Sequence, residues 1–484
     1  MNEPQHFFGE WCKIFCRWNL KRRCFFNFQH PSRVLIVKKN TPPLKNNPYN
    51  RLLQYLCLMN RKTFWIIVAG LHAIFMLKQL FINNSMLQDS VEYLFAADNL
   101  IQHQTLYAWN YNFAHNADWL TKRPFLYPSI LVLFKTISFN HTFVFFFLVY
   151  FVQNLISLNN IRLVLKLADQ FNPGYRYLHV LFFLIFSVSQ LIYANFIMCE
   201  IWLQAAFTLI TYTILTSKHS VKKYLSISLL ICAAMALKPV AMPAAFIYPI
   251  ALIIGFKFRP KLPHLLLSLI PLVFAFTTSV INEKRTGHRQ YSSISTINLL
   301  HYNTYVMLMN QYGTTKADSI IDNIKLETRG MSYKDRQSYI DSTCTEIIKN
   351  HLPLYTYLHL RGIAFALIDP GRFDFTQFFN LAHSSNLIYQ TNQKGSLNKI
   401  IQSFYNPLGL LLILILLFNV FRFLKALHFM VQKRYNLTFK MLVLAIPAYI
   451  LTLTGPIGTS RFFMPLIPIA LLIFLLSLRN QNTK

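Results

Sequence analysis

Acidic residues are scarce in this sequence of 484 residues: 17 Asp and Glu stand against 47 Lys and Arg, and charged residues of either sign make up only 13%. Glycine is sparse too, at 13 residues, and the glycine-dependent nucleotide motifs GxGxxG and GxxxxGK[ST] are missing. HExxH and the GxSxG nucleophile elbow are missing as well, which removes the readiest zinc-peptidase and serine-hydrolase readings. The seven cysteines, Cys12, Cys16, Cys24, Cys57, Cys199, Cys232 and Cys344, form no CxxC pair and no zinc-type spacing. A disulfide framework and a structural zinc module are therefore not expected. No charged n-region, apolar core and small-residue cleavage site opens the chain, so no cleavable signal peptide is expected. The first 58 residues are basic and aromatic, and Met59 precedes the first strong apolar run, which suggests a natural start at Met59.

What the sequence does have is apolar length. It is 54% hydrophobic with 44 Phe, and runs of about 20 apolar residues, enough to cross a hydrocarbon core, recur along it. The net charge of +30 would suit nucleic acid, but the basic residues sit in short segments between apolar runs. That is the pattern of cytoplasmic loops, whose cations also meet anionic membrane lipids, so nucleic-acid binding is not expected. The reading is an all-α polytopic membrane protein with about ten transmembrane helices. Spans are expected near 64–82, 142–161, 178–197, 200–217, 263–281, 404–424, 440–454 and 463–479, with two more in 224–256 that turn at Lys238-Pro239. The apolar piece 127–139 is short and carries Lys135, so it is expected to be interfacial or re-entrant. With both termini cytoplasmic, the basic clusters at 162–176, 218–223, 257–261 and 425–440 all fall inside. Of the 17 acids only Glu3, Glu10 and Asp169 do so. The organisation expected is a basic cytoplasmic segment 1–62, a transmembrane region 63–281 containing a first outer loop 83–126, an outer segment 282–402 with helical periodicity around 316–350, and C-terminal transmembrane helices 403–484. No internal repeat is visible, which disfavours a transporter built from inverted repeats.

The chemistry-bearing residues cluster in what this topology makes the outer face. Asp89, Glu92 and Tyr93 share one face of a predicted helix, being i, i+3 and i+4, opposite a stripe of Val91, Leu94, Phe95 and Ile101. Such a helix is suited to the membrane interface, its acids facing water and either catalytic or merely solvated. Lys122-Arg123-Pro124 puts two cations on the outer side, where the charge bias would not; they either meet an anion such as a lipid phosphate or snorkel. Glu200, at the outer end of the fourth span, is either paired and functional or a boundary residue reaching water. Arg461 is the one charge in the last outer turn, facing either an anion or an outer acid. His103, His115 and Asp118 share the first loop, either as a metal group or, as lone histidines near an interface more often are, as simple hydrogen-bonding residues. Asn83-Asn84-Ser85 and Asn140-His141-Thr142 are glycosylation sequons, meaningful only in a secretory pathway.

Taken in order, these segments resemble the GT-C superfamily of membrane glycosyltransferases, which includes protein O-mannosyltransferases and lipid A aminoarabinose transferases, and within it the broad, largely uncharacterised bacterial branch. The resemblance spans about 60–480. It rests on the acid opening the first outer loop (Asp89, then Glu92 and Tyr93), a basic-Pro-Pro-Leu-like element (Arg123-Pro124-Phe125-Leu126-Tyr127-Pro128), the outer Glu200, the Lys238-Pro239 turn, and an Arg-Tyr-x-x-Pro-like element (Arg461-Phe462-Phe463-Met464-Pro465). Phe125 replaces the second proline, and the first-loop acids are not adjacent as in some relatives. The resemblance implies a GT-C-like helical fold and transfer of a sugar from a polyprenyl-phosphate donor to a lipid, glycan or protein acceptor, outside the cytoplasm of a bacterial plasma membrane. It assigns general-base duty to Asp89 or Glu92, donor phosphate to Lys122, Arg123 and Arg461, and supporting roles to Tyr93, Glu200 and Lys238. No cofactor is assigned and no metal ligand is named; relatives differ in metal dependence, so a divalent metal is left open. Two other readings remain: an O-antigen ligase or polymerase, for which Arg285, Arg289, Arg329, Arg336, Arg361 and Arg372 in the outer segment would matter, and a lipid-linked glycan flippase, for which mid-membrane charges would.

Overall fold

The computed structural model describes residues 59–82, 85–113, 116–172, 175–256, 261–381 and 407–478. The suggested start at Met59, the four cysteines before it, the Asn83-Asn84 sequon site and His115 depend on residues outside that set. Among the described residues the chain is helical and contains no strand.

The chain is an integral membrane protein. Among the described residues five helices are long and apolar enough to cross a bilayer unaided: Arg61–Ile82, Thr142–Phe171, Leu262–Thr286, Pro407–Val431 and Ser460–Ser477. Shorter apolar helices, Leu126–Ile137, Tyr177–Phe186, Pro239–Gly255, Leu352–Ile368 and Leu437–Thr452, pack among them. Ten spans are expected from the sequence; the described residues supply five full-length ones, and the other apolar helices are shorter.

The elements that position the site are α1 (Arg61–Leu77), α2 (Gln88–His103), α3 (Leu126–Ile137), α4 (Thr142–Phe171), α5 (Tyr177–Phe186), α6 (Glu200–Thr216), α7 (Val221–Leu237), α8 (Ala244–Gly255), α9 (Ile270–Thr286), α10 (Thr314–Glu327), α11 (Tyr333–Asn350), α12 (Leu352–Ile368), α13 (Arg372–Phe378), α14 (Pro407–Val431), α15 (Leu437–Thr452) and α16 (Ser460–Ser477). At the centre is α16. From Ile467 to Ser477 every side chain is buried, because the sequence is apolar all round and offers no polar face to solvent or to a loop. It packs against α4, α6, α14 and α15. Its first residues, Ser460 and Arg461, therefore stand in the middle of one end of the bundle.

Three expectations are corrected. The helix expected over 142–161 runs on to Phe171 as a 30-residue element, because Arg162 and Lys166 are good helix formers and nothing breaks the chain before Asn172. The third span, expected over 178–197, stops at Phe186 and resumes as a short turn, Ser189–Tyr193. Gln190 there binds the side chains of Ser157 and Gln204, a buried polar network that overrides helix continuity. Within 282–402, α12 is a 17-residue apolar helix in a stretch that reads as mixed and polar. The turn expected at Lys238-Pro239 is present between α7 and α8. Helices α10 and α11 enclose a separate small core with Leu300, Met307, Ile321, Ile340 and Cys344.

Helix α12 lies against the turn before α16 at two glycines. A methyl group on Gly362 would overlap the carbonyl oxygen of Gly455, and one on Gly458 would overlap that of Gly362. Both obstacles are backbone, which cannot swing aside. Gly362→Ala is expected to destabilise the protein by about 1–3 kcal/mol, read as a lowered unfolding midpoint in detergent. An unchanged midpoint would contradict this close packing.

Candidate functional site

The first loop supplies the acids. Asp89 lies in the first turn of α2, and Glu92 and Tyr93 follow on the same face. The face expected to meet water is the buried one: Glu92 and Tyr93 are each 1% exposed, whereas Ile101 of the apolar stripe is 45% exposed. Cations explain the inversion. The Lys122 ammonium lies 2.9 Å from Glu92 Oε1, and Arg123 Nε donates to Glu92 Oε2 at 2.7 Å. Arg123 Nη2 is 2.6 Å from both Glu92 Oε2 and Asp89 Oδ1. Neutralised in this way, the acidic face can turn inward at acceptable cost. Tyr93 supports Arg123 from below, with the guanidinium 4.9 Å over its ring, and its hydroxyl lies 3.0 Å from Cys199 Sγ. Lys122 sits over Trp119 at 4.0 Å. Both cations are thus held by carboxylates and rings and are not snorkelling.

The bundle supplies the other half. Glu200 opens α6 and is fully buried, so it does not reach water. Lys238 Nζ donates to its Oε1 at 2.8 Å, and Arg461 Nε donates to the same oxygen at 2.8 Å. Arg461 Nη2 also pairs with Asp89 Oδ2, joining the loop to the bundle. Of the two readings open for Arg461, the structure therefore shows pairing with acids. Four cations face three carboxylates in this network, leaving one formal positive charge over.

Burial alone would raise the proton affinity of Asp89. Arg461 and Arg123 outweigh it and hold the carboxyl well below the usual carboxylate range. The stability this pairing gives is present at pH above the unfolded-state value and is lost in acid.

Asp89, Glu92, Lys122, Arg123, Lys238 and Arg461 all line one cavity of ≈ 1020 Å³; Tyr93 and Glu200 stand behind them. Arg361, Arg372 and Asp374 line it too. Asp374, on α13, is 3% exposed. It accepts from the Tyr193 hydroxyl at 2.8 Å and from the Ser460 hydroxyl at 3.0 Å. Burial, with neighbouring Asp369, raises its pKa to about 6 against the opposing Tyr193 and Ser460 hydrogen bonds. Sequence reasoning missed it, because it lies in the mixed 282–402 stretch with no motif around it.

The remaining sequence candidates lie apart. His103 stacks on Tyr111 at 4.0 Å. Asp118 is held by Arg336 at 2.9 Å, Gln337 at 2.9 Å and Tyr333 at 3.1 Å, which fastens the first loop to α11. Among the described residues no group of three His, Cys, Asp or Glu side chains is arranged to hold a metal. Arg285 donates to the Leu106 carbonyl, and Arg289 stacks on Phe276.

No protein-family model matches the sequence, and a search of curated proteins finds no match. Among solved structures the chain is similar to ArnT from Cupriavidus metallidurans bound to undecaprenyl phosphate, at 10% identity and a TM-score of 0.35 over 86% of this chain and 77% of that one. It is similar also to ArnT from the same organism in the apo state, at 11% identity and a TM-score of 0.34, with the same coverage. What the site can do follows from its own side chains.

Proposed function

We propose that the chain is a membrane glycosyltransferase that moves a sugar from a polyprenyl-phosphate donor to a lipid, glycan or protein acceptor on the non-cytoplasmic side of a bacterial plasma membrane, with both termini cytoplasmic. The observation that carries the reading is the cavity in which Lys122, Arg123, Lys238 and Arg461 outnumber their carboxylates. A leaving phosphate is the ligand such a surplus suits. As the bond from sugar C1 to the phosphate oxygen breaks, the electron pair stays on the phosphate and positive character develops at C1. Arg123 and Arg461 take up the phosphate charge by exchanging Asp89 for phosphate oxygens, a bidentate geometry that guanidinium favours. The acceptor oxygen bonds to C1 and loses its proton to a base. The donor arrives activated, so the missing nucleotide-binding loop is no obstacle.

A second cavity, ≈ 870 Å³ and mainly apolar, opens between α8 and α9. Pro239 lines it, and the preceding residue, Lys238, lines the charged one. On this reading the polyprenyl chain lies in the apolar cavity and its phosphate in the charged one. Arg361 and Arg372 on the charged cavity keep a second reading in view: a ligase that hands a lipid-linked glycan to another lipid, by the same bond changes at C1.

The test is turnover by the purified protein in lipid nanodiscs, with a panel of polyprenyl-phosphate sugars, read as release of free polyprenyl phosphate. Native protein is expected to turn over at least one donor, and Asp89→Asn to lower the rate by about 10²-fold or more, because Arg123 and Arg461 lose the anion that orients them. Full activity in Asp89→Asn would remove Asp89 from the machinery.

A further inference from the structure

We propose that Asp118 is a positioning residue: it locks the turn that leads into Lys122 and Arg123 onto helix α11, and so sets where those two cations stand for the donor phosphate; this rests on the transferase reading above. The turn cannot hold itself. Asp118–Thr121 is one helical turn of four residues, too short to persist on its own hydrogen bonds. Lys122 and Arg123 follow it directly, so whatever fixes the turn fixes the root of both side chains. Both nevertheless meet Glu92 and Asp89 at 2.6–2.9 Å, which requires a hold from outside.

Helix α11 supplies the first hold. The Asp118 carboxylate accepts from the Tyr333 hydroxyl at 3.1 Å and Gln337 Nε2 at 2.9 Å on Oδ1, and from Arg336 Nη2 at 2.9 Å on Oδ2. Arg336 Nη2 also donates to Asn116 Oδ1 at 3.3 Å, and the same oxygen accepts from the Asp118 backbone N–H at 3.0 Å. At 19% and 28% exposure, Asp118 and Arg336 form a sheltered pair inside a network, unlike the isolated surface pairs that contribute little.

Residues 290–293 supply the second. The Ser293 hydroxyl donates to the Asp118 carbonyl at 2.7 Å, and the Ser292 hydroxyl donates to the Lys122 carbonyl at 3.2 Å. Gln290 Nε2 joins the two holds, donating to the Tyr333 hydroxyl at 2.7 Å and to Thr121 Oγ1 at 3.3 Å. Asp118 is where they meet, its side chain on α11 and its carbonyl on Ser293. Gln290 and Ser292 also line the apolar cavity, so the wall beside the proposed lipid chain grips the turn that carries the phosphate cations.

A residue that acts through Lys122 and Arg123 should matter to a phosphate and not to an uncharged lipid, and only while those cations are present. The test measures binding of polyprenyl phosphate and of polyprenol in nanodiscs of neutral lipid. The proteins compared are native, Asp118→Asn, Lys122→Ala/Arg123→Ala and the triple variant. Asparagine presents an N–H or a weaker acceptor to Arg336 in place of a charged oxygen. Asp118→Asn is expected to weaken polyprenyl phosphate binding by about 3–10-fold, to leave polyprenol binding unchanged, and to lower kcat by about 10-fold or more. In the Lys122→Ala/Arg123→Ala background it should weaken phosphate binding no further. A merely structural role would weaken both lipids, or weaken phosphate binding equally in both backgrounds. Tyr333→Phe removes one donor to Asp118 and keeps every charge; it should give the same pattern at smaller size, and it carries the test if Asp118→Asn does not fold. Native phosphate binding and kcat in the folded variants, or an equal loss in the background without the two cations, would overturn the assignment while leaving the transferase reading intact. Native protein that binds polyprenyl phosphate no more tightly than polyprenol would overturn both.

Discussion

Replacing Arg461 with alanine is expected to lower kcat/KM by about 10²–10³-fold, the loss that follows removal of one preorganised donor from a developing negative charge. Among the described residues Arg461 alone pairs with both a loop acid, Asp89, and the bundle acid, Glu200. Without it, Arg123 is the cation left on Asp89 and Lys238 the cation left on Glu200, so the cations lose their fixed spacing as well as one of their number. Lysine should restore little. An ammonium is a point charge on a flexible stem and does not reproduce two separate guanidinium contacts. Initial rates of Arg461→Ala and Arg461→Lys, with unfolding midpoints as a control for folding, check this. A lysine variant with native kcat/KM would show that charge alone suffices.

The second large effect is on stability. Glu200→Leu is expected to cost about 3 kcal/mol, at the lower end of the range for breaking a buried ion pair. The lower end applies because the cations left behind are not sealed in: Lys238 is 19% and Arg461 28% exposed, so both can draw water from the cavity. Adding Lys238→Met to Glu200→Leu should recover part of the loss, because it removes one of the two stranded charges. Unfolding midpoints of the two single variants and the double variant in detergent give the coupling, expected at about 0.5–3 kcal/mol. Strict additivity would mean that Glu200 and Lys238 do not depend on each other.

Much of this arrangement is legible before any coordinates. Charge placement alone puts Asp89, Lys122, Arg123, Glu200 and Arg461 on one side of the membrane, and the structure brings them to one cavity or directly behind it. The Lys238-Pro239 turn follows from the restriction proline places on the residue before it. What is not legible is which charge answers which. Asp89 and Arg461 are 372 positions apart, and Glu200 and Arg461 are 261 apart, distances over which local periodicity carries no information. That is why the acidic face of α2 reads as solvated when it is buried. The break at Ser187 is hidden for a similar reason. No proline or glycine marks it; it depends on Gln190 reaching Ser157 and Gln204 on other helices. Asp374 has no local signature, and its chemistry comes from Tyr193 and Ser460, which are 181 and 86 residues away.

Equilibrium binding of free polyprenyl phosphate to native protein and to the Arg123→Ala/Arg461→Ala double variant, both in nanodiscs of neutral lipid, goes straight to whether these cations form a phosphate site. The double variant should bind at least about 10-fold more weakly, a loss of about 1.4 kcal/mol or more, and the native affinity should fall with added salt. Equal affinity in the two proteins would show that the phosphate lies elsewhere and that the cations serve only to balance Asp89, Glu92 and Glu200.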